Sequence, residues 1–411
     1  MSNAVRILLA LVAGLILGIV AVAFSPNIAE TAASIADPVG TLWLNGLRMT
    51  IIPLVVALLV TGIGQTAEAA RAGRLAGRAM IWFIAVLWAT TIVCALIFPA
   101  LLDLWPMPAE SAGALKAALS HPAATGPIPT LGDFVRSIVP SNPISAAADN
   151  AILPLVVFAT FFAFAVTQLP AEPRERMTGF FSALADTMLI IIGWVLRFAP
   201  LGVFALAFAV GARSGAAAFG ALAHYVVFVS SMGILVGLSA YGVARVAGGV
   251  PIAKFARAVA PAQAVAISTQ SSLATLPEML RATQELGATQ ATAGVVLPLA
   301  VALFRATSPA MNLAVALYIA HWYGIALTPM VLFAGVATAA ITTMGSVSLP
   351  GTITYFSSVA PVALAMGVPL EPLALLVAVE TVPDIFRTLG NVTMDVAVTT
   401  SIARQAKTSD A

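Results

Sequence analysis

The stretch VETVPDIFRTLGNVTMD, residues 379–395, decides how the chain is read. Its polar side chains, Glu380, Asp384, Arg387, Thr388, Asn391 and Asp395, recur every three or four residues, with Thr388 beside Arg387. At about 100° per residue they fall on one face of a helix. Val379, Val382, Ile385, Phe386, Leu389, Val392 and Met394 cover the rest, and apolar runs on both sides make the segment long enough to span a bilayer. Three carboxylates and a guanidinium then sit at membrane depth, where they are costly unless paired or wetted. A polar stripe of this kind reads as a functional site. The competing reading, an interhelical salt-bridge seam, asks for fewer polar groups than the six clustered here.

Outward from that stretch the whole chain is apolar. Of 411 residues 60% are hydrophobic and only 9% charged, and the mean hydropathy is +1.02. So few charges on so long a chain place it among polytopic helical membrane proteins. The net charge of +2 gives no basic patch for nucleic acid, and the single cysteine, Cys94, excludes an intrachain disulfide and a CxxC metal or redox site. Arg6 and the apolar run to Phe24 lack a cleavage pattern and read as a retained first helix.

Helix-length apolar spans lie near 7–25, 41–65, 79–102, 144–169, 180–211 and 219–245. Arg71, Arg74, Arg78, Arg174, Arg176, Arg245, Lys254 and Arg257 occupy alternate connections, while the others hold Lys116, Arg136 and Arg213. By the positive-inside rule both termini, with Arg6, Arg404 and Lys407, are cytoplasmic. Beyond residue 250 simple spans stop fitting. The segment 258–283 is interrupted by SSLATLP (271–277) and 341–368 by SVSLPG (346–351), and each precedes a full span, near 291–323 and 373–403. Two copies of a hairpin followed by a helix, each with a small-residue, Pro-bearing tip, point to a transporter binding site. Such tips leave backbone N–H groups free to hold an anion.

These residues resemble the dicarboxylate/amino acid:cation symporters, the family that includes glutamate and aspartate transporters. The match runs through LRMTIIPLVVALLVTG (47–62), NPISAAADNAILPLVVFA (142–159), FAPLGVFALAF (198–208), SSLATLP, SVSLPG and RTLGNVTMD (387–395). The resemblance implies an all-α protein with eight transmembrane helices and two re-entrant hairpins, built on inverted repeats, in the inner membrane as a homotrimer working as an elevator. It implies scaffold helices 1 and 2 in 1–78, transport-domain helix 3 in 79–102, an outer loop at 103–143 and scaffold helices 4 and 5 in 144–217. The transport domain continues through 218–411. It further implies that Asp384 holds a substrate amino group and Arg387 a side-chain carboxylate, with hydrogen bonds from Thr388 and Asn391. Ser271, Ser272 and the backbone of Leu349, Pro350 and Gly351 would take the α-carboxylate. A guanidinium fork suits a carboxylate and a lone carboxylate suits an ammonium, so the chemistry agrees.

The departures from the family pattern concern the cation. Where the seventh span normally carries an Asn-Met-Asp-Gly-Thr break, this chain has Phe304-Arg305-Ala306-Thr307-Ser308, and Phe83, Val86 and Leu87 replace oxygen-bearing residues of the third span. Asn391 and Asp395 remain, too few oxygens for a complete sodium cage. Pro309 keeps the seventh span interrupted. Arg305 lands where sodium would sit and is expected to pair with Asp395, Glu380 or Asp384. The reading is a secondary transporter of acidic amino acids, proton-coupled (on Glu380) or exchanging, without cofactor or resident metal. A C4-dicarboxylate or neutral amino-acid carrier, or a receptor or channel on the same fold, is the alternative. An enzyme is disfavoured, since His321 has no nucleophile or HExxH-like partner.

Overall fold

A computed structural model describes residues 3–71, 73–106, 136–215, 217–345 and 351–410, and every regular element among them is helical. The chain begins with α1 (Asn3–Phe24), α2 (Pro26–Arg71) and α3 (Arg74–Leu104). After the loop come α4 (Pro143–Ala148), α5 (Ile152–Thr167), α6 (Ala171–Arg197), α7 (Ala199–Ser214) and α8 (Ala217–Val246). The second half runs through α9 (Ile252–Thr269), α10 (Ser272–Glu285), α11 (Gln290–Leu303), α12 (Ser308–Tyr323), α13 (Pro329–Gly345), α14 (Gly351–Ala365), α15 (Glu371–Leu376) and α16 (Thr381–Asp410).

Several boundaries differ from the sequence expectation. The second span, expected at 41–65, is the end of a 46-residue helix starting at Pro26; its first turns, PNIAETAASIADPVG, are helix-forming but too polar to register as a span. The fourth span is split between α4 and α5, and the fifth is α6 and α7 with a break at Phe198. The first hairpin turns at Gln270, one residue before SSLATLP, so Pro277 lies inside α10. The second hairpin starts at Pro329, twelve residues earlier than 341. The tip positions Leu349 and Pro350 lie outside the described residues, and Gly351 opens α14. The stretch 379–395 is not one helix either. Pro383 has no N–H to give the Val379 carbonyl, and α16 begins at Thr381 with Glu380 in the preceding turn.

In the first half α1 lies against α7, and α2 against α5, α6 and α7. The α1–α7 crossing is close: a Cβ on Gly211 would stand 2.4 Å from the Leu15 carbonyl oxygen. Trp43 Nε1 donates to the Val195 carbonyl at 3.0 Å, and Arg213 pairs with Asp37 at 3.0 Å, tying α2 to α6 and α7. In the second half α16 packs on α8 and on both limbs of the first hairpin, while α12 packs on α3 and the second hairpin. Exposed Leu, Ile and Phe side chains on α1, α3 and α5–α8 form the outer surface, as a lipid-facing protein requires.

Helix α16 meets α8 where Gly237 and Gly390 nearly touch. A Cβ on Gly390 would lie 2.4 Å from Thr307 Oγ1 and 3.2 Å from the Gly233 carbonyl oxygen. We therefore expect Gly390→Ala to destabilise the protein by about 1–3 kcal/mol through overpacking. Gly294→Ala, in a helix with nothing within 4 Å of the new methyl, is expected to be neutral or to stabilise by about 0.5–1 kcal/mol. Thermal unfolding of the two variants in detergent checks the pair; equal melting points would refute the close-packing argument.

Candidate functional site

Interruptions in the helices build the site. Between α11 and α12 residues 304–307 are non-helical, and Pro309 follows at the start of α12. A carbonyl in the break finds its donor on α3, where Thr90 Oγ1 donates to the Ala306 oxygen at 3.0 Å, and Cys94 Sγ of α3 donates to the oxygen of Ala310, inside α12, at 3.1 Å. The freed Thr307 N–H donates to Asn391 Oδ1 on α16 at 2.8 Å. Unpaired backbone groups at membrane depth are costly, so these bonds hold the break in one geometry.

The first hairpin tip arrives from the other side. Gln270 sits in the left-handed region, φ 50° and ψ 33°, a conformation that costs a non-glycine residue about 1–2 kcal/mol. Its amide donates to the Thr381 carbonyl at 3.5 Å, joining the tip to the first residue of α16. Ser271 caps α10 by accepting the Ala274 N–H at 3.2 Å, and Ser272 is its first residue; both are half-buried.

Arg387 is the centre. It is 2% exposed. Its Nη2 donates to Glu380 Oε1, its Nη1 to Asn312 Oδ1 at 2.7 Å, and its Nε lies 3.5 Å from Asp384 Oδ1. The second oxygen of Glu380 accepts the Tyr225 hydroxyl at 2.9 Å, and the Tyr355 hydroxyl is 3.5 Å from that of Tyr225. Thr388, Asn391 and Asp395 are also buried, whereas the Asp384 side chain keeps 14% exposure. A polar cluster this dry is stable only as a paired network.

Asp395, one turn beyond Asn391, is 1% exposed, and neither carboxylate oxygen has a hydrogen bond among the described residues. Arg305 lies within electrostatic reach of Asp395, Asp384 and Arg387. Of the three partners expected for Arg305, Glu380 and Asp384 are ion-paired with Arg387. Two neighbours of the break are aromatic: Phe83 of α3 and Phe304 stack with centroids 4.5 Å apart and planes within 7°. An apolar pair thus fills the positions where the resemblance leads one to expect cation ligands, and Asn391 Oδ1 is committed to Thr307. These residues do not fit a closed sodium cage.

Of the residues named from sequence, the fold brings Glu380, Asp384 and Arg387 into one ion-paired cluster, places Asn391 at the helix break and sets Ser271 and Ser272 at the start of α10. Sequence reasoning missed Tyr225, Gln270, Asn312 and Tyr355. Asn312 carried a signal, a lone amide in the apolar run of α12; the tyrosines were indistinguishable from interfacial or packing aromatics.

A family model, the sodium:dicarboxylate symporter family, matches residues 4–405. A proton/glutamate-aspartate symporter of Escherichia coli (strain K12) is 26% identical, over 95% of this chain and 90% of its own length. A C4-dicarboxylate transport protein of Deinococcus radiodurans is 26% identical over 99% of this chain and 89% of its own. A proton/sodium-glutamate symport protein of Bacillus caldotenax is 25% identical over 92% and 89%. With its dry, charge-paired centre among broken helices and a match over nearly its full length, this chain belongs to the sodium:dicarboxylate symporter family, a family of membrane transporters rather than enzymes.

Proposed function

We propose that the protein is a secondary transporter of acidic amino acids, aspartate or glutamate, with proton-coupled or exchange transport in place of sodium coupling. The observation that carries the reading is the pairing of one buried guanidinium, Arg387, with a partly accessible carboxylate, Asp384, 3.5 Å from it. An acidic amino acid offers the complement of both. Its side-chain carboxylate suits the Arg387 fork, and its ammonium suits Asp384. Thr388 and Asn391 add hydrogen-bonding capacity, and the first hairpin, with Ser271 and Ser272 beside the Gln270–Thr381 contact, is placed to cover the α-carboxylate. The second tip, Leu349 to Gly351, would close the other side.

On this reading α1, α2 and α4–α7 form a scaffold and α3 with α8–α16 a transport domain that moves against it as an elevator, three protomers assembling around the scaffolds in the inner membrane with both termini in the cytoplasm. The packing described above supports that division. Between the two parts lie the Arg48–Glu371 ion pair, 2.6 Å, and the edge-on contact of Trp43 with Phe356. The alternative is a C4-dicarboxylate carrier, favoured by the similarity to the Deinococcus radiodurans protein; a dicarboxylate would use Arg387 and leave Asp384 without a counterion.

Uptake by proteoliposomes of L-aspartate, L-glutamate, succinate and serine tests the proposal. Aspartate or glutamate is expected to be transported best, and a preference for succinate with aspartate silent would overturn it. Arg387→Ala should weaken acidic-substrate binding by about 2–5 kcal/mol in calorimetry, since it strips a desolvated partner from the substrate carboxylate. Asp384→Asn should weaken aspartate binding and leave succinate binding unchanged or tighter. Because Phe83, Phe304 and Ala306 offer no side-chain oxygen, aspartate affinity is expected to be the same in sodium and choline chloride of equal ionic strength. A tenfold gain in sodium, about 1.4 kcal/mol, would show that Arg305 does not take the ion's place.

A further inference from the structure

The hydrogen bonds of Arg387 point to a competition that the transport reading does not require by itself. A guanidinium can grip a carboxylate with two parallel N–H bonds along its Nε–Nη2 edge or its Nη1–Nη2 end. Nη2 belongs to both. In this protein Nη2 is held by Glu380, while Nη1 is held by Asn312 and Nε faces Asp384. Glu380 thus holds the one nitrogen that both two-pronged positions share, and a substrate carboxylate that grips Arg387 competes with it for Nη2.

We propose that Glu380 is an internal stand-in for the substrate carboxylate, and that substrate binding exchanges it off Arg387 and transfers one proton from water to it. The inference rests on the acidic-substrate reading above. Charge decides the second half. Glu380, Asp384 and Asp395 face two guanidiniums, Arg305 and Arg387, so the buried cluster carries one net negative charge with all groups ionised. Aspartate or glutamate adds another. Glu380, displaced from its cation yet still buried, becomes an uncompensated charge in an apolar setting, which is costly until it is neutralised. The surviving sodium-type ligands do not fit a cage that could supply the compensating cation, and a proton needs none.

The receiving groups are already in place. Glu380 Oε2 accepts from Tyr225, and Tyr225 is in turn 3.5 Å from the Tyr355 hydroxyl. A carboxylate at the end of that chain accepts. Once protonated, Glu380 can donate instead, and the two hydroxyls reverse without any heavy atom moving far. In the step, the Arg387–Glu380 ion pair breaks, the Arg387–substrate pair forms, and one O–H bond forms on Glu380. The charged and titratable groups around Glu380 are Arg387 and Asp384 of α16, Tyr225 of α8 and Tyr355 of α14. Asn312 of α12 and Gln270 of the hairpin turn approach through Arg387 and Thr381 and do not titrate. Among the described residues no group other than Glu380 both holds Arg387 at Nη2 and has a hydroxyl relay behind it.

The test is calorimetry of L-aspartate binding to the full-length protein in sodium-free phosphate and Tris, whose ionisation enthalpies differ. The wild type is expected to take up about one proton per aspartate, and so to bind more tightly as pH falls. Glu380→Gln, which mimics the neutral acid and leaves Nη2 free, should bind aspartate with no proton uptake and with an affinity flat in pH. Proton uptake that persists in Glu380→Gln, or wild-type binding without uptake, overturns the proposal while leaving the acidic-substrate reading standing. Absence of aspartate and glutamate binding in the wild type overturns that reading itself. Should Glu380→Gln fail to fold, Tyr225→Phe, which removes one hydroxyl, decides: the stoichiometry should stay at about one and the pH midpoint of uptake should move. An unmoved midpoint overturns the relay.

Discussion

A guanidinium buried at membrane depth must be surrounded before it can be useful, and the second half of this structure follows from that constraint. Arg387 draws Glu380 and Asp384 from its own segment and Asn312 from α12. Glu380 in turn draws the Tyr225 hydroxyl from α8. Each partner fixes one helix against α16. Replacing such a network by well-packed apolar residues would cost the fold little, whereas removing one member leaves another unpaired. A network of this kind therefore marks function more than stability.

How much of this was legible depended on whether the information was local. The stripe Glu380–Asp395 could be read because period and polarity within one segment carry it, and the hairpins because small residues and prolines interrupt otherwise continuous apolar runs. Span ends were read less well. The start of α2 at Pro26 falls where polar turns continue a helix without adding hydropathy, whereas the second hairpin starts at Pro329 in turns that are themselves apolar and merge with the run that follows. Long-range partners left little trace beyond the lone amide of Asn312. Tyr225 lies 155 residues from Glu380 and Asn312 75 residues from Arg387, so nothing in either neighbourhood announces the contact. Arg305 shows the limit from the other side: its three possible counterions were named from sequence, and only the fold gave Glu380 to Arg387.

The break between α11 and α12 shows how an interrupted helix is held in one geometry. It persists because Pro309 enforces it and because Thr90 and Asn391 bond to backbone groups within it. None of those bonds needs an ion. Around that frame Phe83 and Phe304 stack against each other, each filling the space the other would leave. The geometry of the break is thus held by backbone hydrogen bonding and packing.

The polarity of the breaks matters as much as their position. Three helices begin at the site: α10 at Ser272, behind the Gln270 turn that touches Thr381; α12 at Ser308, behind the Thr307 N–H bound to Asn391; and α16 at Thr381 itself. A helix N-terminus carries roughly half a positive charge and unpaired N–H groups. Those of α10 and α16 meet at the Gln270–Thr381 contact and set a potential there that favours anions, in addition to the guanidiniums and independent of any side chain, while that of α12 lies at Asn391, about 15 Å further along α16. That fixed field is how a cluster holding more carboxylates than guanidiniums can exist at this depth, and why the molecule that enters it should bring carboxylates of its own.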